Sequence, residues 1–179
     1  FIGKEFEPFI VAEISANHNG SLKRALKTIY EAKKSGASAV KIQTYTADSM
    51  TLNCDNKYFQ INGGLWDGYN LYKLYEEAST PYEWHNELFE YARKIGITMF
   101  STPFDIDAVE FLDQFNPPAY KIASFELTDH ELIEGVAKKL KPVIISTGMA
   151  TFDEISAALE IFKNNDCKEV ILLHCVSGY

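Results

Sequence analysis

Residues 119–148, AYKIASFELTDHELIEGVAKKLKPVIISTG, decide the fold. Two short apolar runs, Ala119–Ser124 and Val143–Gly148, flank a helical pattern over residues 129–140. The apolar residues of that helix recur three and four positions apart, as on a helix face that packs against a core. A strand, a helix and a second strand in this order predict a βα unit whose two strands lie parallel.

The same alternation continues on both sides of this stretch. Further strands are predicted at Phe9–Ile14, Ala39–Tyr45, Thr98–Pro103 and Val170–Cys175, and further helices near residues 22–35, 82–95, 106–115 and 152–164. Six strands alternating with five helices predict an α/β fold with a parallel sheet. Because a TIM (β/α)8 barrel typically needs about 250 residues, we predict such a barrel, truncated after the sixth strand. The alternative is a doubly wound sheet, although no G-x-G-x-x-G follows the first strand.

Three Thr-x-x-Glu segments predict N-terminal capping boxes, in which the Thr and Glu side chains each accept a hydrogen bond from the other's backbone N–H. These segments begin at Thr80, Thr128 and Thr151. Gly36 and Gly96 stand where the C-caps of two predicted helices are expected.

The composition excludes several classes of protein. With 17 Lys and Arg against 25 Asp and Glu, the net charge is −8, and 46% of the 179 residues are apolar, as in an ordinary globular domain. The acidic balance argues against binding to nucleic acids or anionic membranes. No apolar run nears the roughly 18 residues of a membrane helix. Three cysteines without a C-x-x-C spacing predict neither disulfides nor a zinc site, and favour a reducing cytoplasm.

One connection is unusually long. Residues 46–79 are rich in glycine and aromatic residues, among them Gly63, Gly64 and Trp66. A long loop in a compact domain is usually a lid, a binding loop or a contact surface. We predict that it lies over the carboxyl ends of the strands and contacts a ligand or a neighbouring subunit. The alternative is a tolerated surface insertion.

Two lysines lie inside apolar strands, although the strands of a parallel sheet are normally buried on both faces and carry few charged residues. Lys41 falls within Ala39–Gln43 and Lys121 within Ala119–Ala123. Because an unpaired buried ammonium costs roughly 1.4 kcal/mol for each unit by which its pKa shifts, each lysine needs a partner. That partner is either a buried carboxylate or an anionic ligand.

Polar side chains also collect where the predicted strands end. The carboxyl ends of parallel strands form the ligand face of such folds, so lysines and hydroxyls at this face predict a cage for phosphate and carboxylate groups. Carboxylates there can bind sugar hydroxyls or move protons. The residues concerned are Glu13, Gln43, Thr102, Ser124, Glu126, Ser146, His174 and Ser177.

A series of motifs resembles the sialic acid (nonulosonic acid) synthase family along the whole chain. They are Ala12-Glu-Ile, Asn17-His-Asn-Gly20, Val40-Lys-Ile-Gln-Thr44, Ser101-Thr-Pro-Phe104, Tyr120-Lys-Ile-Ala-Ser124, Ser146-Thr-Gly-Met149 and His174-Cys175 with Tyr179. The segments Gly63–Trp66, Leu71–Tyr75 and Thr80–His85 are similar to the pseudaminic acid synthase branch of that family.

The resemblance implies that residues 1–179 are the N-terminal part of a phosphoenolpyruvate-condensing (β/α)8 barrel, with a C-terminal antifreeze-like domain that is absent from this chain. It implies a cytoplasmic transferase that joins phosphoenolpyruvate to an open-chain acetamido sugar, 2,4-diacetamido-2,4,6-trideoxy-altrose, and releases phosphate and pseudaminic acid. It also implies a divalent metal (Mn²⁺ or Mg²⁺), a homodimer in the full-length protein, and a role in surface polysaccharide synthesis or flagellin glycosylation.

The resemblance also implies roles for matching positions of this sequence. Glu13, Lys41, Lys121 and Glu126 match catalytic positions. The positions that match phosphoenolpyruvate contacts are Lys41, Thr102, Lys121, Ser124, Ser146 and Ser177, the last standing where many relatives have Asn. The positions near the sugar are Gln43, Glu126 and Tyr179. The histidines that hold the metal in relatives lie beyond the sixth strand, so no metal ligand is expected in this chain, and His18 and His174 are not taken as replacements.

Three alternatives remain open from the sequence. The first is an N-acetylneuraminate or legionaminate synthase of the same family. The second is a Schiff-base aldolase, because a desolvated lysine in a barrel strand can act as an imine-forming nucleophile. The third is a non-catalytic domain that binds a sugar phosphate.

Overall fold

The computed structural model describes residues 2–176. The chain forms two compact units, Phe1–Met99 and Phe100–Tyr179. The helices and strands of the first unit are β1 (Val11–Glu13), α1 (Leu22–Lys34), β2 (Ala39–Thr44), α2 (Ala47–Met50), α3 (Leu71–Ala78) and α4 (His85–Ile95). Short 3₁₀ helices lie at Lys57–Phe59, Gly64–Trp66 and Tyr82–Trp84.

The core of the first unit joins a strand to two helices. β2 is buried along most of its length, and its apolar residues alternate with Lys41 and Gln43. Helices α1 and α4 pack against each other, because each carries one apolar face. The fully buried residues of these elements include Ile29, Val40, Ile42, Leu88 and Ala92.

The second unit repeats the strand–helix alternation. β3 (Thr98–Pro103) begins at the end of the first unit and is followed by α5 (Ile106–Asp113), β4 (Tyr120–Ile122), a 3₁₀ helix (Phe125–Thr128), α6 (His130–Ala137), β5 (Val143–Ser146), α7 (Phe152–Asn164) and β6 (Val170–Leu173). β4 and β5 are buried throughout. Helix α6 packs against α5 and α7, and its buried face is formed by Leu132, Ile133 and Val136.

The strands follow one another in the sheet in the order β1-β2-β3-β4-β5-β6. The pairs β1–β2, β3–β4, β4–β5 and β5–β6 are parallel. This order confirms the predicted α/β class with strands in sequential order. It does not reverse about β1, as the doubly wound alternative requires.

Several predicted strands and one helix are shorter than expected. The run Phe9–Ile14 contributes only Val11–Glu13. Its C-terminal end is set by a turn at Ser15, which has a φ of 46°. The runs around β4 and β6 are trimmed to Tyr120–Ile122 and Val170–Leu173. Helix α6 ends at Ala137, so Leu140, at a φ of 52°, is exposed rather than part of the apolar face. Apolar runs mark burial, whereas strand ends depend on where the backbone turns.

The capping predictions have mixed outcomes. Thr151 forms the predicted capping box of α7 with Glu154, and Gly96 is the left-handed C-cap of α4 at a φ of 71°. The box predicted at Thr80 is wrong, because a 3₁₀ helix intervenes and α4 begins only at His85. The box at Thr128 is also wrong: Thr128 ends a 3₁₀ helix, and the carboxylate of Asp129 accepts from the Leu132 N–H at 3.0 Å instead. At the end of α1 the C-cap is Ser35, and Gly36 follows it at a φ of 90°.

The long connection over residues 46–79 is largely structured. It contains α2, α3 and two 3₁₀ helices, so it is not a loop without secondary structure. Asn70 organises it, since its Oδ1 accepts from the Tyr72 and Lys73 N–H groups and its Nδ2 donates to the Cys54 carbonyl. The Tyr72 hydroxyl donates to Asp48 Oδ1 at 3.1 Å and joins α3 to α2. Among residues 2–176, no helix combines the length and apolar character of a membrane span.

The two Thr-x-x-Glu segments at α6 and α7 provide a matched test of capping. We expect Thr151→Ala to lower the free energy of unfolding by about 1 kcal/mol, because the N-cap acceptor is lost. Thr128→Ala, at an equally exposed Thr, should stay within about 0.5 kcal/mol of the parent. Urea denaturation of both variants measures the difference. Equal losses of stability would contradict the assignment of Asp129 as the cap of α6.

Candidate active site

The first two strands place a glutamate and a lysine side by side. In the parallel register of β1 and β2, Glu13 lies opposite Lys41. The Lys41 ammonium forms an ion pair with the Glu13 carboxylate, and the two side chains are 13% and 40% exposed. Lys41 therefore has a carboxylate partner, but this carboxylate is exposed rather than buried as the first of the two alternatives from the sequence required. Because the pair is partly open to solvent, its net stabilisation is modest, and an anionic ligand can compete for the ammonium.

The turn after β1 connects Glu13 to Gln43. The Ser15 N–H donates to Glu13 Oε1 at 2.9 Å. The Ser15 hydroxyl donates to Gln43 Oε1 at 3.4 Å. Because Ser15 adopts a positive φ, its N–H and its hydroxyl reach both side chains. The predicted sugar contact Gln43 and the predicted catalytic Glu13 therefore belong to one hydrogen-bonded group.

A buried histidine fixes α4 to β2. His85 Nε2 lies 2.8 Å from Thr44 Oγ1, and His85 Nδ1 lies 3.1 Å from the Pro81 carbonyl oxygen. A neutral ring satisfies both contacts if Nδ1–H donates to the carbonyl and Nε2 accepts from the hydroxyl. Burial lowers the pKa of His85 to about 4, so the imidazole is neutral at pH 7. Its role is structural.

His18 is the first residue to consider as a metal ligand, but its contacts are structural like those of His85. The side chain is buried. Its Nδ1 accepts from the Gly20 N–H at 3.2 Å, and its ring packs edge-on against Trp84 with 5.4 Å between the centroids. Burial lowers the pKa of His18. These contacts hold the Asn-His-Asn-Gly turn closed.

The second strand lysine has a different environment from the first. Lys121 is only 8% exposed. Its ammonium donates to the Ser146 hydroxyl oxygen at 2.6 Å and to the Ile122 carbonyl oxygen. These two acceptors are neutral oxygens, which solvate a charge without cancelling it. The ammonium is held at the ends of β4 and β5, and its charge also acts on Glu126.

The connections that follow β4, β5 and β6 are tied to one another. The Ser124 hydroxyl accepts from the Gly148 N–H at 3.2 Å. Thr147 donates to the Leu173 carbonyl through both its N–H and its hydroxyl, each at 3.0 Å. Ser124 and Ser146, two predicted phosphoenolpyruvate contacts, are therefore held by hydrogen bonds around the same strand ends as Lys121.

Glu126 lies in the 3₁₀ helix that follows β4. Its Oε2 atom is buried and has no hydrogen-bond partner among the residues that the structure describes. Burial raises the pKa of Glu126, and the positive charge of Lys121 opposes that rise in part. The carboxyl group therefore holds a proton to higher pH than an exposed glutamate does.

The remaining predicted site residues are less informative. Thr102 is buried within β3. Ser177 and Tyr179 lie outside the described residues, so nothing structural is added to their predicted roles. Glu13, Lys41 and Gln43 form one group in the first unit, and Lys121, Ser124, Glu126 and Ser146 cluster in the second. Their contacts with phosphoenolpyruvate and sugar stay predictions.

Sequence reasoning missed the part played by His85. In the sequence, His85 in a helical first turn looks no different from an exposed capping residue. Its burial and its contact with Thr44 depend on the packing of α4 against β2.

Residues 2–176 contain no cluster of three or more His, Cys, Asp or Glu side chains that can hold a metal ion. The resemblance implies that the ligands of the divalent metal lie outside this chain, and this stays a prediction.

Comparison with known proteins identifies the family. The sequence profile of the NeuB family matches residues 28–179. The chain belongs to the NeuB family. This membership confirms the resemblance to the sialic acid synthases.

Relatives of this NeuB chain include pseudaminic acid synthases. It is 56% identical over 171 residues to pseudaminic acid synthase of Campylobacter jejuni, covering 96% of this chain and 50% of that protein. It is 51% identical over 172 residues to pseudaminic acid synthase of Helicobacter pylori, covering 96% of this chain and 51% of that protein. The chain thus spans about half the length of these curated relatives.

A solved structure supports the fold. The crystal structure of N-acetylneuraminic acid synthetase from Leptospira borgpetersenii, in complex with citrate, matches with a TM-score of 0.85 and 34% identity. The match covers 99% of this chain and 57% of that chain. Together with the strand order, it confirms the predicted barrel-type α/β topology of this NeuB chain.

The aromatic residues of segment 46–79 in this NeuB chain differ in how far they are buried. Tyr75 of α3 lies edge-on to Tyr45, just after β2, with 5.9 Å between the ring centroids. Trp66 is 52% exposed. Tyr45 anchors the segment at the carboxyl end of β2, while its contact with a ligand or a neighbouring subunit stays a prediction.

The buried imidazole of this NeuB chain predicts a pH dependence of stability. Between the unfolded pKa of about 6.5 and the folded pKa of about 4, the unfolded state binds a proton that the folded state excludes. Stability therefore falls as the pH drops through this window, by up to about 3 kcal/mol. We expect His85→Gln to be less stable than the parent at pH 7, with a gap that shrinks by about this amount at pH 4.

The control is His130→Gln, because His130 also begins a helix but is exposed. Its stability should follow the parent across the same pH range in chemical denaturation. If the His85→Gln curve instead runs parallel to the parent from pH 7 to pH 4, His85 is not the buried neutral base described above.

Proposed function

We propose that this chain carries part of the active site of a pseudaminic acid synthase. The full-length enzyme would condense phosphoenolpyruvate with open-chain 2,4-diacetamido-2,4,6-trideoxy-altrose, form pseudaminic acid and release phosphate. The observation that carries this proposal is the buried Lys121 ammonium, held by a serine hydroxyl at the strand ends, in a chain 51–56% identical to pseudaminic acid synthases. N-acetylneuraminate and legionaminate synthases of the same family are the alternatives.

The strand-end lysines and hydroxyls would bind the two anionic groups of phosphoenolpyruvate. Lys121 and Ser146 already share a hydrogen bond, and Ser124 is held beside the loop after β5. Charge-assisted hydrogen bonds from such groups to carboxylate and phosphate oxygens are strong and directional. Lys41 would turn from Glu13 towards the ligand. Thr102 and Ser177 complete the proposed set.

The sugar would be held by Gln43, Glu126 and Tyr179. A glutamate with a raised pKa suits this task, since its protonated carboxyl can donate a hydrogen bond or a proton to a sugar oxygen. The Glu13 carboxylate, paired with Lys41, can stabilise developing positive charge once the lysine engages the substrate.

With these roles, the proposed condensation would proceed through the following bond changes. The π electrons between C2 and C3 of phosphoenolpyruvate form a bond from C3 to the aldehyde carbon of the sugar, and the aldehyde oxygen takes up a proton. Positive charge at C2 is stabilised by the substrate carboxylate and nearby acids. Water adds at C2 and loses one proton to solvent. The bond from C2 to the phosphate oxygen then breaks, the oxygen from water becomes the keto oxygen, and its remaining proton leaves with the phosphate.

Lys121 as an ammonium fits anion binding better than imine chemistry. An imine-forming lysine attacks as a neutral amine, whereas Lys121 donates to two oxygens. A borohydride-stable pyruvate adduct on Lys41 or Lys121 would instead support the Schiff-base aldolase. A full-length protein that binds phosphoenolpyruvate without turnover would support the non-catalytic binding domain.

Further properties of the full-length protein belong to the same proposal. We propose a divalent metal, Mn²⁺ or Mg²⁺, held by residues outside this chain, a homodimer with a C-terminal antifreeze-like domain, and a role in flagellin glycosylation or surface polysaccharide synthesis. The three cysteines are free thiols, which supports a reducing, cytoplasmic location.

The assay that tests the proposal compares two sugars. Full-length enzyme with Mn²⁺ or Mg²⁺ is incubated with phosphoenolpyruvate and either 2,4-diacetamido-2,4,6-trideoxy-altrose or N-acetylmannosamine. Phosphate release and the mass of the product are measured. We expect turnover with the diacetamido sugar and little with N-acetylmannosamine; the reverse preference would support the N-acetylneuraminate alternative.

The proposed roles of the two lysines are tested by substitutions that remove the ammonium charge and keep most of the side-chain volume. We expect Lys41→Met and Lys121→Met each to lower kcat/KM for phosphoenolpyruvate at least about tenfold, since a lost charge-assisted hydrogen bond is worth roughly 1.5–3 kcal/mol. Lys139→Met is the matched control, because Lys139 is 14% exposed and paired with Glu110 and Asp113. The control should lose stability but keep kcat/KM. If both strand-lysine variants keep full activity and ordinary phosphoenolpyruvate affinity, these lysines are structural.

A further inference from the structure

Ser15 holds two of the proposed site residues, although the proposed function gives Ser15 itself no role. It follows β1, which ends at Glu13, and its φ is 46°. Its N–H donates to Glu13 Oε1 at 2.9 Å, and its hydroxyl donates to Gln43 Oε1 at 3.4 Å. The first contact uses the backbone and the second uses the side chain. A substitution at position 15 can therefore remove the contact with Gln43 and keep the contact with Glu13.

The hydroxyl contact determines which end of the Gln43 amide is available to a ligand. Because Oε1 accepts from Ser15, the Nε2 group with its two hydrogens lies at the other end of the amide. Gln43 and Lys41 are two residues apart in β2 and therefore lie on the same face of the strand. Both side chains are partly exposed. The strand face that carries the Lys41 ammonium thus also offers the N–H donors of Gln43.

We propose that Ser15 is a positioning residue for the sugar: its hydroxyl fixes the Gln43 amide so that Nε2 donates to an acceptor oxygen of the acetamido sugar. The inference rests on the proposed function for the identity of the sugar. The contact between Ser15 and Gln43 rests on the structure alone.

The backbone contact of Ser15 has a second part in this arrangement. The two oxygens of the Glu13 carboxylate have different partners, since Oε2 pairs with the Lys41 ammonium and Oε1 accepts from the Ser15 N–H. The proposed function requires Lys41 to turn from Glu13 towards phosphoenolpyruvate. The Oε1 contact does not involve Lys41, so it would hold Glu13 in place during that movement and leave Oε2 open to the reacting groups.

The backbone conformation separates this role from that of an ordinary turn residue. A φ of 46° lies in the left-handed region, which glycine adopts more readily than serine. Ser15→Gly therefore suits the turn, keeps the N–H that holds Glu13, and removes the hydroxyl that holds Gln43. Ser15→Ala removes the same hydroxyl but leaves a side chain at the positive φ.

Steady-state kinetics of the full-length enzyme test the positioning role. We expect both Ser15 variants to raise the KM for the sugar that the enzyme turns over at least about threefold, the effect of one neutral hydrogen bond at the weak end of its range. The KM for phosphoenolpyruvate and kcat should stay within about twofold of the parent, because the contact binds the substrate and the transition state alike. The Tm of Ser15→Gly should equal or exceed that of Ser15→Ala, so the loss of sugar binding does not follow stability.

The matched control is Asn19→Gly. Asn19 is exposed and has the same φ of 46°, so this variant makes the same backbone change and leaves the Ser15 hydroxyl in place. It should keep the parent KM for the sugar. A rise in KM equal to that of Ser15→Gly would show that the turn, and not the hydroxyl, determines sugar binding.

A double-mutant cycle shows whether Ser15 acts through Gln43. Gln43→Ala alone should raise the sugar KM more than Ser15→Ala does, because it removes the amide itself. Ser15→Ala added to Gln43→Ala should change the KM no further, since the hydroxyl then has no amide to hold. The same fold-change from Ser15→Ala in both backgrounds, or the parent sugar KM in both Ser15 variants, would overturn the inference.

The outcomes separate this inference from the proposed function. If the diacetamido sugar is turned over and the Ser15 variants keep the parent KM for it, the role of Ser15 is wrong and the function stands. If neither sugar supports turnover, the proposed function fails, and the same cycle is measured on the free energy of unfolding. Coupling between Ser15→Ala and Gln43→Ala would then support the contact without the sugar, whereas additive losses would overturn the contact as well.

Discussion

An ammonium inside a parallel sheet must find oxygen acceptors, because taking it out of water costs several kcal/mol. Lys121 finds them in the Ile122 carbonyl and the Ser146 hydroxyl. The first contact lies within β4, and the second ties β4 to β5. Separate hydrogen bonds, from Gly148 to Ser124 and from Thr147 to Leu173, fix the connections after the same strands. The second unit thus collects hydrogen-bonded polar groups at the ends of the strands that hold its buried charge.

The two strand lysines differ in the partners that offset the desolvation of their ammonium groups. Lys41 pairs with a carboxylate that is 40% exposed, so much of its desolvation is avoided and the pair is only modestly stabilising. Lys121 is more deeply buried and is bonded to neutral oxygens. The charge of Lys121 also acts on the buried carboxyl group of Glu126. Lys41 is thus held by an ion pair at the protein surface, whereas Lys121 donates hydrogen bonds to neutral oxygens inside the sheet.

The sequence predicts those features that depend on periodicity. Alternating apolar runs and amphipathic helices predict the α/β class and the sequential strand order, because both reflect burial summed over many residues. The capping box at Thr151 is predicted because nothing local competes with it, whereas Thr128 fails because a 3₁₀ helix ends there and Asp129 offers a better acceptor. The role of His85 could not be assigned from the sequence. Its environment is created by a residue distant in the chain, Thr44.

The use of hydroxyls as acceptors has a consequence for ligand exchange. A hydroxyl both accepts and donates, and its hydrogen can rotate. Ser146 could therefore keep accepting from Lys121 while its hydrogen turns to an oxygen of the proposed substrate. Ser124 could do the same while it accepts from Gly148. Each hydroxyl would then gain a hydrogen bond to an entering anion without a movement of the backbone that carries it. A cage of this kind would be preorganised, since the oxygen atoms of both hydroxyls are already held in place before a substrate arrives.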